Sequence, residues 1–114
     1  MTLDKIRLEV EAAYSDCNNN SNESRNLNYF CESAVNPKQA VKIMESALGN
    51  GSYNSFHPSL LLGFPSDSKI HIAREGSVCI YVENNINVMI KHVEDFGMNY
   101  SHGKFENLSR YWWD

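Results

Sequence analysis

The chain reads as an α+β protein, with N-terminal helices packed on an antiparallel β-sheet. Three observations carry that reading. Helical periodicity falls in the first half of the sequence, a well-capped helix follows Asn36, and strict alternation marks a β-hairpin over Lys69–Glu83. The remaining strands are expected to form a meander around that hairpin, in a single domain spanning residues 1–114.

In the hairpin, branched aliphatic residues recur at every second position, Ile70 and Ile72 before the turn and Val78, Ile80 and Val82 after it. A three-residue loop Arg74-Glu75-Gly76 sets Ile72 opposite Val78 and Ile70 opposite Ile80. A two-residue loop would set Ile72 against Cys79 and split the aliphatic face, so the first register is expected. Gly76 then takes the left-handed position in the turn.

Leu3–Tyr14 fits a helix with Leu3, Ile6, Val10, Ala13 and Tyr14 on one stripe, Thr2 as N-cap and Asp4 near the positive end of the dipole. Cys17–Asn28 is polar and aperiodic, hence loop. Leu27, Phe30, Cys31 and Ala34 recur at helical spacing and predict a short second helix. The next helix is the best marked. Asn36 caps it, Pro37 suits its first turn and Gln39 completes a capping box. Its buried face comprises Ala40, Val41, Met44, Ala47 and Leu48, and Gly49-Asn50-Gly51 stops it.

Ser52–Pro58 is loop, the apolar run Ser59–Leu62 suits a strand beside the hairpin, and residues 63–68 turn the chain into it. Beyond Glu83, residues Ile86, Met89, Ile90, Val93 and Phe96 fit a helical stripe. Their β-branched content, and Glu94-Asp95 at the would-be helix C-terminus, favour a strand instead. That strand would set Val82 against Val88 and Ile80 against Ile90. Ser109–Trp113 reads as a last strand or an extended tail.

Hydrophobic residues at 42% and charged ones at 21% are ordinary for a globular chain and give no sign of disorder or low complexity. A formal net charge of -4 argues against nucleic acid or an anionic membrane as the main partner. No apolar run reaches the roughly 20 residues that span a bilayer, and the charged N-terminus is unlike an export signal. A cytoplasmic protein is expected. Cys17, Cys31 and Cys79 are odd in number and widely spaced, so reduced thiols are expected.

The motifs that announce chemistry are missing. His57, His71, His92 and His102 are scattered without paired ligand spacing, so no metal site and no cofactor are expected. No phosphate-cradling glycine motif occurs. In the expected register His71 faces Cys79, which gives a thiol and a base but no helix N-terminus to lower the thiol pKa.

What remains is a binding signal. Tyr100, Phe105, Tyr111, Trp112 and Trp113 crowd the last fifteen residues, and Tyr and Trp are enriched at interface hot spots. Adjacent Trp112 and Trp113 on a strand face opposite sides, so at least one indole must find a surface or a cover. The expected partner-binding residues are Glu106, Tyr111, Trp112, Trp113 and Asp114, with Trp113 the more accessible indole. The functional class this suggests is a small acidic inhibitor that binds another protein. Its most specific form is an immunity protein neutralising a basic, nucleic-acid-directed bacterial toxin. The runner-up is a phage or accessory adaptor inhibiting a host complex, and the third reading is a small enzyme using His71 and Cys79.

Overall fold

The structure, a computed structural model, describes residues 2–14, 28–49, 51, 56–75, 77–83, 95–102 and 105–113. The first helix, α1 (Leu3–Tyr14), has the expected bounds. The Thr2 hydroxyl accepts from the Lys5 amide at 3.3 Å, as an N-cap should. Its buried stripe is Ile6, Val10 and Tyr14, whereas Leu3 stays exposed at the helix start. The second helix, α2 (Pro37–Ala47), carries the full reciprocal capping box. Gln39 N donates to the Asn36 side chain at 2.8 Å, and Asn36 N donates to the Gln39 side chain at 3.0 Å. Its buried face includes Ile43 beside Ala40, Met44 and Ala47, while Val41 is only partly buried. Gly49 ends the helix at φ 63°, in the left-handed region that favours glycine.

Among the described residues five antiparallel strands form one sheet in the spatial order β1-β2-β3-β5-β4: β1 (Asn28–Phe30, between the two helices), β2 (Ile70–Glu75), β3 (Val78–Glu83), β4 (Asp95–His102) and β5 (Phe105–Trp113). The α+β arrangement is therefore as the sequence predicts. Sequential neighbours pair through β3. The last hairpin then lies with β5 against β3 and β4 outside it.

Four expectations are corrected. The helix expected around Leu27–Ala34 is replaced by the edge of the sheet. Tyr29 pairs with Arg74, Cys31 N donates to the Ile72 carbonyl at 2.9 Å, and Val35 bridges Ile70. Tertiary pairing overrides a four-residue periodicity too short to nucleate a helix by itself. Ser59–Leu62 is no strand but part of a 3-10 helix, Pro58–Gly63. Pro58 presets its first turn and the His57 ring accepts from Ser59 N at 3.2 Å.

The hairpin register differs by two residues. Ile72 pairs with Ile80, Ile70 with Val82 and Arg74 with Val78. A slip of two keeps every side chain on its face, so the aliphatic face survives the change. Finally, Val82 pairs with Ser109, and the far edge of β3 is occupied by β5. The pairing expected between Val82 and Val88 is thereby displaced. Residues 86–93 lie outside the described residues, as do Gly76 and Cys17.

The main core lies between the helices and one sheet face, where Ile70, Ile72, Val78, Ile80 and Val82 meet Ile6, Val10, Ala40 and Met44. Two contacts close its edges. Phe56 meets Trp113 edge-on at 4.8 Å, and Phe64 meets Tyr111 at 5.0 Å, so the segment carrying the 3-10 helix is pinned on β5. At the hairpin, the Tyr14 hydroxyl donates to the Ala73 carbonyl and accepts the Cys79 amide at 3.4 Å. Among the described residues no helix is long and apolar enough to cross a membrane.

Two substitutions test this packing by urea unfolding. Ile80, fully buried between Ile72 and Tyr111, should lose about 2–5 kcal/mol on Ile80→Ala through the cavity left behind. Tyr14→Phe should lose about 1–3 kcal/mol, because the Ala73 carbonyl then faces a dry ring.

Candidate functional site

Strand alternation sends a second set of side chains to the sheet face turned away from the helices. Phe30, Ala73, Cys79, Tyr81, Leu108 and Trp112 form an apolar cluster there. The ionisable groups Glu75, His71, Glu83 and Arg110 share the face by register. None was gathered by sequence spacing, since they come from three strands.

Glu75 is the hub. Its Oε2 accepts from the Cys79 thiol at 3.0 Å, the Tyr81 hydroxyl at 2.7 Å and Arg110 Nε at 3.0 Å. Burial alone would raise the Glu75 pKa, but these three donors outweigh it and hold the carboxyl below its ordinary 4.5. The effect on Cys79 is opposite. Burial, with Glu75 as hydrogen-bond acceptor and negative neighbour, pushes the thiol far above its ordinary range. A thiol that donates to a carboxylate stays protonated, whereas nucleophilic chemistry needs the thiolate.

His71 is engaged elsewhere. It faces Tyr81 rather than Cys79, which corrects the cross-strand pair expected from sequence; Cys79 sits opposite Ala73. The His71 ring is 1% exposed, with Nδ1 at 3.0 Å from the Cys31 carbonyl and Nε2 at 2.5 Å from Glu83 Oε2. It stacks on Phe30 at 5.5 Å, and Phe30 in turn meets Tyr81 edge-on. The two candidate partners for catalysis thus serve two separate carboxylates.

The expected binding residues divide by strand parity. Tyr111 and Trp113 are 2% and 0% exposed and belong to the main core, so Trp113 is corrected from accessible indole to core anchor. Trp112 stands on the opposite face, partly exposed, with the Arg110 guanidinium 5.2 Å over its ring. Its Nε1 is buried and has no hydrogen-bond partner. Asp114 and the Glu106 side chain lie outside the described residues.

Sequence reasoning missed Glu75, Tyr81, Arg110 and Phe30. Parity held the signal: Glu75, Cys79 and Tyr81 share one face of the hairpin, and Arg110 shares that of Trp112. Among the described residues no group of three or more His, Cys, Asp or Glu side chains is arranged to hold a metal ion. Compared with protein-family models, curated proteins and solved structures, the chain matches none.

The Glu75 hub sets an acid dependence. Its folded-state pKa is depressed, so its contribution is complete above the unfolded value near 4.5 and is lost as pH falls through the lower folded value. Wild-type stability should therefore decline more steeply than that of Glu75→Gln between about pH 5 and pH 3, measured by urea unfolding at each pH.

Proposed function

We propose that this chain acts by binding another protein and carries out no chemistry of its own. Its most specific form is a neutralising inhibitor, an immunity protein directed at a basic, nucleic-acid-directed toxin. The observation that carries the reading is Trp112, a partly exposed indole on the face turned away from the helices. It sits beside a guanidinium and on the face that carries the partly exposed carboxylates of Glu75 and Glu83. An aromatic anchor next to fixed charges is the usual composition of an interface hot spot.

Ala73, Cys79, Tyr81 and Leu108 on this face are buried, and the partly exposed carboxylates among them suit rigid recognition. Glu75 is locked by three donors and Glu83 by His71, so their carboxylates are pre-organised and lose little freedom on binding. All three bonds to Glu75 fall on Oε2, and its side chain is 34% exposed. Among the described residues Oε1 accepts no hydrogen bond and keeps its acceptor capacity. A net charge of -4 would speed the approach of a basic partner. The protonated, carboxylate-bound Cys79 thiol weighs against the enzymatic alternative.

The test is capture of partners from the source cell on the wild-type chain, then binding kinetics with the purified partner. Trp112→Ala should still fold, at a lowered melting midpoint because it gives up packing in the apolar cluster, and bind about tenfold more weakly, chiefly through faster dissociation. Raising the salt should slow association of the wild type. Unchanged binding by a folded Trp112→Ala would move the interface off this face.

A further inference from the structure

The two helices lie side by side and run in the same direction. Near their C-terminal ends the Ser46 hydroxyl donates to Glu11, and at their N-terminal ends Leu3 and Asp4 share a groove with Asn36, Lys38 and Gln39. The groove continues past Arg7, Lys42 and Ile43 and encloses about 390 Å³, within the size range of small-molecule pockets.

Its chemistry departs from that of the chain as a whole. The protein carries a net charge of -4, yet this groove is lined by three cations, Arg7, Lys38 and Lys42, against one carboxylate, Asp4. Arg7 gives Nη1 to Glu11 at 2.7 Å. Lys38 and Lys42 stand one turn apart on α2, both exposed. Apolar surface comes from Leu3, which is 44% exposed, and from the edge of Ile43, which is 2% exposed. Lysine stems are themselves apolar, so two exposed lysines in the lining add to that surface while their charges remain accessible to solvent. Two parallel helix dipoles also place their positive ends here, which raises the local potential further.

We propose that the α1–α2 groove binds a small anionic ligand with an apolar body, a monocarboxylate or phosphate ester of aromatic or short aliphatic size. The apolar part lies on Leu3 and Ile43, and the anion meets Lys38 and Lys42. The site is on the helix layer, apart from the sheet face proposed for partner binding, and does not depend on that proposal.

The probes are 4-phenylbutyrate, its uncharged counterpart 4-phenylbutanol, and inorganic phosphate, each titrated into the full chain and followed by NMR. Phenylbutyrate should give saturable shifts at Leu3, Gln39, Lys42 and Ile43, with a Kd of about 1 mM or tighter. The alcohol should bind about threefold to fivefold more weakly, the size expected for exposed charge contacts. Phosphate, which lacks the apolar body, should bind more weakly than phenylbutyrate. A Lys38→Gln/Lys42→Gln variant with an unchanged melting midpoint should bind the acid no better than the alcohol. Equal binding of acid and alcohol by the wild type would overturn the proposal, as would phosphate matching phenylbutyrate. So would the absence of saturable shifts in the groove up to about 10 mM.

Discussion

The arrangement of both layers depends on a latch between the end of α1 and the β2–β3 hairpin. Tyr14, 1% exposed, places its hydroxyl between the Ala73 carbonyl of one strand and the Cys79 amide of the next. Beside it Arg74, 2% exposed, donates Nη1 to the Ala13 carbonyl and sets its guanidinium 5.4 Å from the Tyr14 ring centroid. A buried guanidinium is costly without compensation. Among the described residues no carboxylate pairs with it. The negative end of the helix dipole and the Ala13 carbonyl supply the counterpart, while Arg74 Nε is buried with no hydrogen-bond partner. Since α1 also holds α2 through Glu11 and Ser46, fixing one helix on the hairpin orients the other.

Local chemistry made the helices legible. The Asn36–Gln39 box, Pro37 and the positive φ of Gly49 are properties of a few adjacent residues, and each is present. The bounds of α1 followed from its periodicity in the same way. Where non-local pairing decides, sequence reading failed. Leu27, Phe30, Cys31 and Ala34 have helical spacing, yet the open edge of β2 recruits residues 28–31. The hairpin register was off by two because the pattern constrains only parity, and a slip of two leaves parity intact. The neighbour of β3 was misread because a strand far along the chain, β5, competes for that edge.

The candidate site was less legible than the fold. Glu75, Cys79, Tyr81 and Arg110 converge only because β5 lies against β3, so no spacing in the sequence could bring Arg110 to Glu75. That Trp112 and Trp113 part company was predictable from alternation alone. Which of them is buried was not. The choice is made by Phe56 and the segment that carries it over β5, more than forty residues from the strand it covers.

The parting of the two indoles has a spectroscopic consequence. They are the only tryptophans in the chain, and they sit next to each other on opposite sides of one sheet. Trp113 is a fluorophore of the layer between sheet and helices, held in an apolar setting against Phe56. Trp112 is a fluorophore of the other layer, under a cation and open to quenchers in solvent. The emission of this protein is thus the sum of a blue, shielded component and a red, quenchable one. A loosening of either layer alters one component and leaves the other in place, without any label being introduced.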